Sequence, residues 1–242
     1  MIAENLKNIH KTLSHYPKAR LVCVTKSQPL EKISQALQCG ERYLGANYSQ
    51  ELIAQSSLLA ADWSSGDGSM TSQSTLSLEP RALHWHFIGH LQRNKVKTIL
   101  PLVDLIHSVD SEELALEIHK RAQGLGKVQS ILIEINLGNE ESKTGMSPHD
   151  IEPLVTKLNT LDNIKLEGLM CIPPAENDAE KSRPYFRHLR EIRDAINLKK
   201  LYKHSLTELS MGMSHDFEIA LQEGATMIRI GTGIFGERHV KG

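Results

Sequence analysis

The chain has 242 residues, of which 40% are hydrophobic and 24% are charged, and its formal net charge is −1. These values are ordinary for a globular protein, and the balanced charge argues against steering toward nucleic acid or an anionic membrane. Three scattered cysteines, Cys23, Cys39 and Cys171, form no CxxC pair, which indicates a reducing compartment rather than a disulfide framework. The N-terminal stretch is charged throughout, and no segment approaches the length of a membrane span. We therefore expect a soluble, cytoplasmic protein.

Short β-type runs alternate along the chain with longer helix-type stretches. The β-type runs are 20–25, 41–45, 84–89, 103–109, 130–137, 164–170, 205–210 and 226–231. Helical patterns are found at 2–14, 29–39, 47–60, 92–98, after a cap at Asp110 or Ser111, at 148–159, at 179–197 and at 215–224. The run 130–137 is apolar almost throughout, which suits a strand that is covered on both faces.

The order of these elements indicates the fold. Each β-type run except the last is followed by a helix-length segment, a pattern that predicts parallel strands with helical crossovers. Eight such units favour closure into a single α/β domain over 1–242, a (β/α)8 TIM-type barrel with an extra N-terminal helix. An open, doubly wound sheet is the alternative, and the lack of a GxGxxG turn after the first run counts against it. Segment 61–82, rich in Ser, Thr and Gly, is predicted to be a flexible insertion.

In such a barrel the functional face is built from the loops at the carboxyl ends of the strands. Phosphate sites commonly lie after strands seven and eight, where this chain has SMGMS (210–214) and RIGTGIFG (229–236). Their glycines and hydroxyls suit an anion, although both segments would also serve as tight turns. The pattern alone leaves both interpretations open.

Lys26 is the candidate nucleophile, because it directly follows the apolar run of the first strand. An amine that forms a Schiff base must be neutral, and burial at a barrel mouth favours that state. The alternative is an ordinary solvated lysine. Arg229 lies between apolar neighbours and needs an acceptor, either a ligand's ring nitrogen or a carboxylate such as that of Glu134.

Two further groups of residues carry weaker signals. His84 and His86 fall on one strand face, but the chain has no HExxH or Cys/His spacing suited to zinc, so a polar pair is favoured over a metal site. Arg93, Lys95 and Lys97 are read as a solvated helix face, with a weak polyanion contact as the alternative.

Several long motifs resemble those of the pyridoxal phosphate homeostasis protein family, of the YggS/PROSC type. In the family's order they are VTKSQP, LGANYSQE, WHFIGHLQRNKVK, IHSVDS, EINLGNEESKTG, EGLMCIPP and LSMGMSHDFEIALQEGATMIRIGTGIFGER. The resemblance implies a fold similar to the N-terminal barrel of alanine racemase, with pyridoxal 5′-phosphate attached to Lys26. It further implies cofactor contacts from Asn47, His86, Ser210, Met211, Ser214, Arg229, Gly231 and Thr232. Arg229 would face the pyridine nitrogen.

The chain departs from the family's usual motifs at two positions near Lys26. Ala46 stands where the family usually has a glutamate, and Gln28 stands where it usually has a second lysine. Both substitutions leave Lys26 intact. They put in doubt secondary cofactor contacts and exchange kinetics that depend on those charges.

Three functions fit these residues to different degrees. The first is a monomeric protein that stores, buffers or delivers pyridoxal phosphate to apoenzymes without catalysis of its own. The second is a pyridoxal-phosphate-dependent amino-acid racemase, which needs an acid/base partner that the sequence does not nominate; related racemases take it from a second domain, for which we expect no room after Gly242. The third, a Schiff-base aldolase acting on a sugar phosphate, explains the lysine and the loops but not the motif series. The first is favoured.

Overall fold

The computed structural model describes residues 1–64, 83–138 and 144–237, with the backbone alone described at 62–64. Eight parallel strands form a closed barrel in chain order, and β8 pairs with β1 to complete it, with Val22 opposite Arg229. The strands are β1 Arg20–Val24, β2 Tyr43–Ala46, β3 His84–Phe87, β4 Leu105–Val109, β5 Gln129–Ile135, β6 Ile164–Cys171, β7 Glu208–Ser210 and β8 Met227–Ile230. The predicted TIM-type barrel is confirmed.

Helices connect the strands and surround the barrel. They are α1 Ile2–Leu13, α2 Leu30–Gln38, α3 Ser49–Ser64, α4 Val96–Ile99, α5 Glu112–Gly124, α6 Ile151–Leu158, α7 Arg183–Leu198, α8 Phe217–Gln222 and α9 Thr232–Phe235. The predicted helices at 92–98, 148–159 and 179–197 each begin with a 3-10 turn, at Arg93–Lys95, Pro148–Asp150 and Ala179–Ser182. The structure continues α3 into the first residues of the predicted insertion at 61–82, and the remainder of that segment lies outside the described residues.

The barrel encloses a small apolar cluster, and a larger core fills the space between strands and helices. The inner cluster consists of Val22, Leu105, Leu132, Met170 and Met227. Because alternate residues of a strand point to opposite faces, the residues of β8 on the same face as Met227 also point inward, Arg229 among them. The interior of the barrel thus combines apolar packing with a few polar side chains toward its carboxyl end.

Helix α1 covers one side of the barrel and supports its last helix. Its buried side chains, Ile2, Leu6, Ile9 and Leu13, recur at helical spacing and form one apolar face. Asn5 Nδ2 donates to the Ile234 carbonyl at 2.9 Å, and Lys32 Nζ of α2 donates to the Phe235 carbonyl at 2.8 Å. These bonds satisfy carbonyls of the four-residue helix α9, and so fix the turn that follows β8.

Candidate functional site

The turn that carries Lys26 is held by helix α3. Thr25 Oγ1 donates to Gln55 Oε1 at 2.8 Å, and Gln55 Nε2 donates back to the Thr25 carbonyl at 3.1 Å. The Ser27 amide donates to Glu51 Oε2 at 3.3 Å. Ser27 has a φ of 56°, a left-handed conformation that is uncommon outside glycine. The chain therefore reverses sharply after Lys26, and two side chains of α3 hold the reversal in place.

Lys26 lies beside a cavity of about 520 Å³ at the carboxyl end of β1, β2 and β3. Its side chain is half-buried, and its Nζ lies 5.0 Å from the centre of the Tyr48 ring. Asn47 Oδ1, at the same cavity, is a buried acceptor without a partner among the described residues. The cavity is lined by Lys26, Asn47, Tyr48, Ser49, Gln50, Phe87, Gly89, His90, Leu91, Gln92 and Lys95.

The loops after β7 and β8 are joined to each other. Ser214 Oγ accepts a hydrogen bond from the Gly233 amide at 3.0 Å. Gly212 has a φ of +90°, and a Cβ at this position would lie 2.5 Å from the Ala220 Cβ, so only glycine fits the turn. Ser214 and Thr232 are exposed at this rim. In the closed barrel β8 adjoins β1, the strand that precedes Lys26, and β7 adjoins β8, so Thr232 follows the neighbouring strand and Ser214 follows the next strand beyond it.

A line of buried polar side chains crosses the barrel interior beneath this rim. Arg229, which is 3% exposed, donates from Nη1 to Ser210 Oγ at 2.6 Å and from Nη2 to the Cys171 carbonyl at 3.0 Å. Ser210 Oγ lies 2.8 Å from His107 Nδ1. His107 Nε2 in turn lies 2.9 Å from His86 Nδ1. Four side chains thus form one continuous hydrogen-bonded chain.

Burial sets the charge of these groups. It lowers the pKa of His86 to about 3, with further contributions from Arg20 and His84. Burial also lowers the pKa of His107 well below its ordinary value, so both imidazoles are neutral at pH 7. Burial likewise lowers the pKa of Arg229, although an arginine remains charged at neutral pH.

Sequence and structure comparisons place the chain among known proteins. The family model for the alanine racemase N-terminal domain matches residues 1–239. The pyridoxal phosphate homeostasis protein of Aquifex aeolicus is 44% identical over 220 residues, which are 91% of this chain and 87% of the relative. The chain belongs to the pyridoxal phosphate homeostasis protein family.

Solved structures agree with this family assignment. PipY of Synechococcus elongatus, solved with pyridoxal phosphate bound, superposes with a TM-score of 0.83 at 32% identity, over 98% of this chain and 100% of PipY. Alanine racemase of Clostridium difficile superposes with a TM-score of 0.73 at 17% identity, over 99% of this chain and 57% of the racemase. The second likeness shows a shared fold. The predicted resemblance to this family is confirmed.

The structure brings only some of the predicted site residues to the rim. Lys26 and Asn47 line the cavity, and Ser214, Gly231 and Thr232 lie in the joined loops after β7 and β8. All five follow the carboxyl ends of strands, and whether they share one ligand stays a prediction.

The remaining predicted residues lie deeper. Met211 is fully buried in the core, and Ser210 directs its hydroxyl to Arg229 and His107. His86 lines a second cavity of about 290 Å³, whose other lining residues lie mainly at the amino-terminal ends of the strands, among them Tyr43. Neither Ser210 nor His86 is among the residues that line the Lys26 cavity.

Sequence reasoning missed three residues near the site. Tyr48 and Lys95 line the Lys26 cavity, and His107 connects Ser210 to His86. Lys95 was interpreted as part of a solvated helix face; only its position in the loop after the third strand could have drawn attention to it. His107 had one usable signal, a polar residue in the middle of an apolar strand.

The two residues that depart from the family's motifs are both buried. Ala46 is 1% exposed in the apolar core at the end of β2. Gln28 is 8% exposed, and its carbonyl accepts from Gln55 Nε2 at 3.5 Å, within the same anchor that holds the Lys26 turn.

Proposed function

We propose that this protein holds pyridoxal 5′-phosphate as a Schiff base on Lys26 and serves in intracellular pyridoxal phosphate homeostasis without turnover of its own. The observation that carries the proposal is a half-buried lysine amine at a rim cavity after β1, on the same end of the barrel as the joined, hydroxyl-bearing loops that follow β7 and β8. Relatives up to 44% identical to the chain bear the name of this function, and PipY was solved with pyridoxal phosphate bound.

The residues present fit the chemistry of this cofactor. A pyridoxal phosphate site needs an amine for the aldehyde, donors for a dianionic phosphate and a partner for the ring nitrogen. Lys26 supplies the amine. Asn47 lines the same cavity, and its buried Oδ1 is an acceptor without a partner among the described residues. The hydroxyls of Ser214 and Thr232 are exposed at adjoining loops.

Each residue would have a distinct task when the cofactor is bound. The cofactor itself supplies an aldehyde that captures amines and a ring that withdraws electrons. Ser214, Gly231 and Thr232 would bind the phosphate, while Arg229 would face the pyridine nitrogen. An arginine does not readily give up a proton, so it keeps that nitrogen unprotonated and the ring a poorer electron sink.

The surroundings of Lys26 favour holding over catalysis. A racemase needs a second group that can move a proton beside the cofactor. At the Lys26 cavity Tyr48 presents its ring face to the amine, and His90 Nδ1 lies 3.4 Å from Asp110 Oδ2. The buried imidazoles of His86 and His107 are hydrogen-bonded to each other. We infer that the cofactor is stored and released rather than used here. Delivery to apoenzymes, a monomeric state and a cytoplasmic location stay predictions.

Trapping with borohydride tests the covalent attachment. The purified protein mixed with pyridoxal phosphate should absorb in the visible range, and reduction should bleach that band and fix the cofactor to the peptide carrying Lys26. Lys26→Arg should abolish the label, and Lys97→Arg, at an exposed position of α4, should retain it. A label on another lysine, or none on the wild-type chain, would overturn the proposal.

Incubation with single amino-acid enantiomers tests the absence of turnover. The loaded protein should produce no inversion above that given by free pyridoxal phosphate. Inversion well above that background, lost in Lys26→Arg, would establish the racemase alternative instead.

A further inference from the structure

We propose that His107 is a positioning residue for Arg229 and acts through Ser210. By accepting the proton of the Ser210 hydroxyl, His107 keeps the hydroxyl oxygen oriented as an acceptor for the Arg229 guanidinium. The inference rests on the proposed function only in its last step, which concerns the bound cofactor. Its first steps concern the direction of hydrogen bonds in the protein by itself.

The donor and acceptor roles along the hydrogen-bonded chain from Arg229 to His86 follow from the chemistry of Arg229. A guanidinium can only donate, so Ser210 Oγ accepts from Arg229 Nη1 at 2.6 Å. The hydroxyl still has one proton to donate, and His107 Nδ1 lies 2.8 Å from the oxygen. A neutral imidazole carries one N–H and one acceptor nitrogen. If Nδ1 accepts, the proton of His107 is on Nε2, and it is donated to His86 Nδ1 at 2.9 Å.

The opposite direction leaves a donor unsatisfied. If His107 donated from Nδ1, Ser210 Oγ would accept from both neighbours and its own proton would have no acceptor among the described contacts. Ser210 is fully buried, so that proton could not be donated to bulk water. Leaving a buried donor unpaired costs its full desolvation. The arrangement in which both His107 and His86 carry their protons on Nε2 satisfies every donor and acceptor from Arg229 Nη1 to His86 Nδ1.

This direction matters for Arg229. A hydroxyl that donates its proton becomes a stronger acceptor, because hydrogen bonds in a chain polarise one another. Ser210 and the Cys171 carbonyl together hold the two Nη atoms of the guanidinium from one side. Without His107 the Ser210 proton has lost its acceptor, and the oxygen that accepts from Arg229 is no longer held by a second hydrogen bond. The N–H groups of Arg229 would then be less well aligned with a bound ring.

Nuclear magnetic resonance of the cofactor-free protein tests the direction itself. Long-range proton–nitrogen correlations on histidine-labelled protein distinguish the two neutral tautomers of each ring. We expect His107 and His86 both to be protonated on Nε2, with assignments made from His107→Gln and His86→Gln. A proton on Nδ1 of His107 would overturn the proposal, whether or not Lys26 binds the cofactor.

Three variants test the effect on the cofactor site. His107→Leu should raise the dissociation constant for pyridoxal phosphate roughly tenfold, the effect of losing one hydrogen bond to a charged group, and should shift the visible absorbance of the bound form. His107→Gln can accept and donate as the imidazole does, and should restore most of the affinity. His119→Leu, on α5, replaces a partly buried histidine that is not a member of this hydrogen-bonded chain and should change neither quantity.

The outcomes separate this proposal from the proposed function. An affinity and an absorbance in folded His107→Leu equal to those of His119→Leu would overturn the positioning role. Failure of the wild-type chain to form any adduct at Lys26 would overturn the proposed function, while the tautomers would still decide the hydrogen-bond chain. Should His107→Leu not fold, His107→Gln and the tautomer measurement remain as tests.

Discussion

The hydroxyl oxygen of Ser214 lies 3.0 Å from the backbone nitrogen of Gly233 and accepts its hydrogen bond. The two residues are contributed by different β/α units, since Ser214 follows β7 and Gly233 lies in α9 after β8. One serine thereby sets the spacing of both loops and still carries a proton to donate. A phosphate bound at this rim would meet that proton beside the exposed Thr232 hydroxyl.

Replacement of Ser214 tests this double role. Ser214→Ala removes the acceptor of the Gly233 amide together with the proposed donor to the phosphate. Because a hydrogen bond to a charged group contributes about 1.5–3 kcal/mol, the dissociation constant for pyridoxal phosphate should rise at least tenfold. Fluorescence titration would measure it, with Ser205→Ala, an exposed serine outside this rim, as the control. Equal affinity in the two variants would remove Ser214 from the phosphate site.

Gln55 is expected to matter for stability as well as for binding. Gln55→Leu removes two hydrogen bonds from the buried Thr25, whose hydroxyl keeps the Gly45 carbonyl at 3.3 Å and whose carbonyl keeps the Gln28 amide at 3.0 Å. At about 0.5–1.5 kcal/mol for each lost bond, the free energy of unfolding should fall by about 1–3 kcal/mol. The turn carrying Lys26 would loosen, so borohydride labelling of Lys26 should also slow. Urea unfolding and labelling rates measure the two effects. Gln123→Leu, at an exposed position of α5, should alter neither, and a stable Gln55→Leu protein would contradict the anchoring role.

The fold could be predicted because its signals are local. Apolar runs and helical periods alternate along the chain, and parallel strands in that order have few ways to close. The run predicted at 164–170 is the strand Ile164–Cys171. Helix α9 was missed because four residues are too few to show a helical period, and it is held by Asn5 and Lys32 from the other end of the chain.

The site could be predicted only in outline. The rule that loops at the carboxyl ends of strands form the functional face located Lys26 and the phosphate-type loops without any knowledge of contacts. The bond between His107 and Ser210 joins residues 103 positions apart, and neither the tautomer nor the partner of a buried histidine is written in a local pattern. The cofactor contact of Ser210 therefore stays a prediction, and the local pattern could not show that its hydroxyl accepts a hydrogen bond from Arg229.

Glu223 joins helix α7 to the end of α8 and should be sensitive to neutralisation. The carboxylate is 6% exposed and forms ion pairs with Arg183 and Arg187 at 3.1 Å and with Arg190 at 3.0 Å. Glu223→Gln removes the counter-charge shared by the three guanidinium groups; Arg183 keeps its ion pair with Glu180 at 2.7 Å, whereas Arg187 and Arg190 lose their ion pairs with Glu223. The free energy of unfolding should fall by about 1–3 kcal/mol at low salt, and by less at high salt because the arginines are partly solvated.

The matched control for that variant is Glu218→Gln, an exposed residue of the same helix. Denaturant unfolding at two salt concentrations would show the comparison. If Glu223→Gln lowered the free energy of unfolding no more than Glu218→Gln does, the three arginine contacts would add nothing to stability.

Stability should decrease as the pH falls below about 6.5, the ordinary histidine pKa. Folding lowers the pKa of His86 to about 3 through burial, and lowers that of His107 in the same direction. Below about pH 6.5 these two histidines bind protons in the unfolded chain while they remain neutral in the folded protein, so the free energy of unfolding decreases toward acid. Arg229 and Arg20 add to this effect, because their charges oppose a proton on His107.

His107→Gln isolates the contribution of one ring. It removes a group that titrates only in the unfolded chain, so the free energy of unfolding should depend less steeply on pH. Between pH 6 and pH 5 the slope for the wild-type chain should exceed that of the variant by up to about 1.4 kcal/mol per pH unit, the limit for one proton. Urea titrations at several pH values measure both slopes. Parallel slopes would mean that His107 takes up its proton in the folded protein, and a charged ring there could not accept the Ser210 proton at Nδ1.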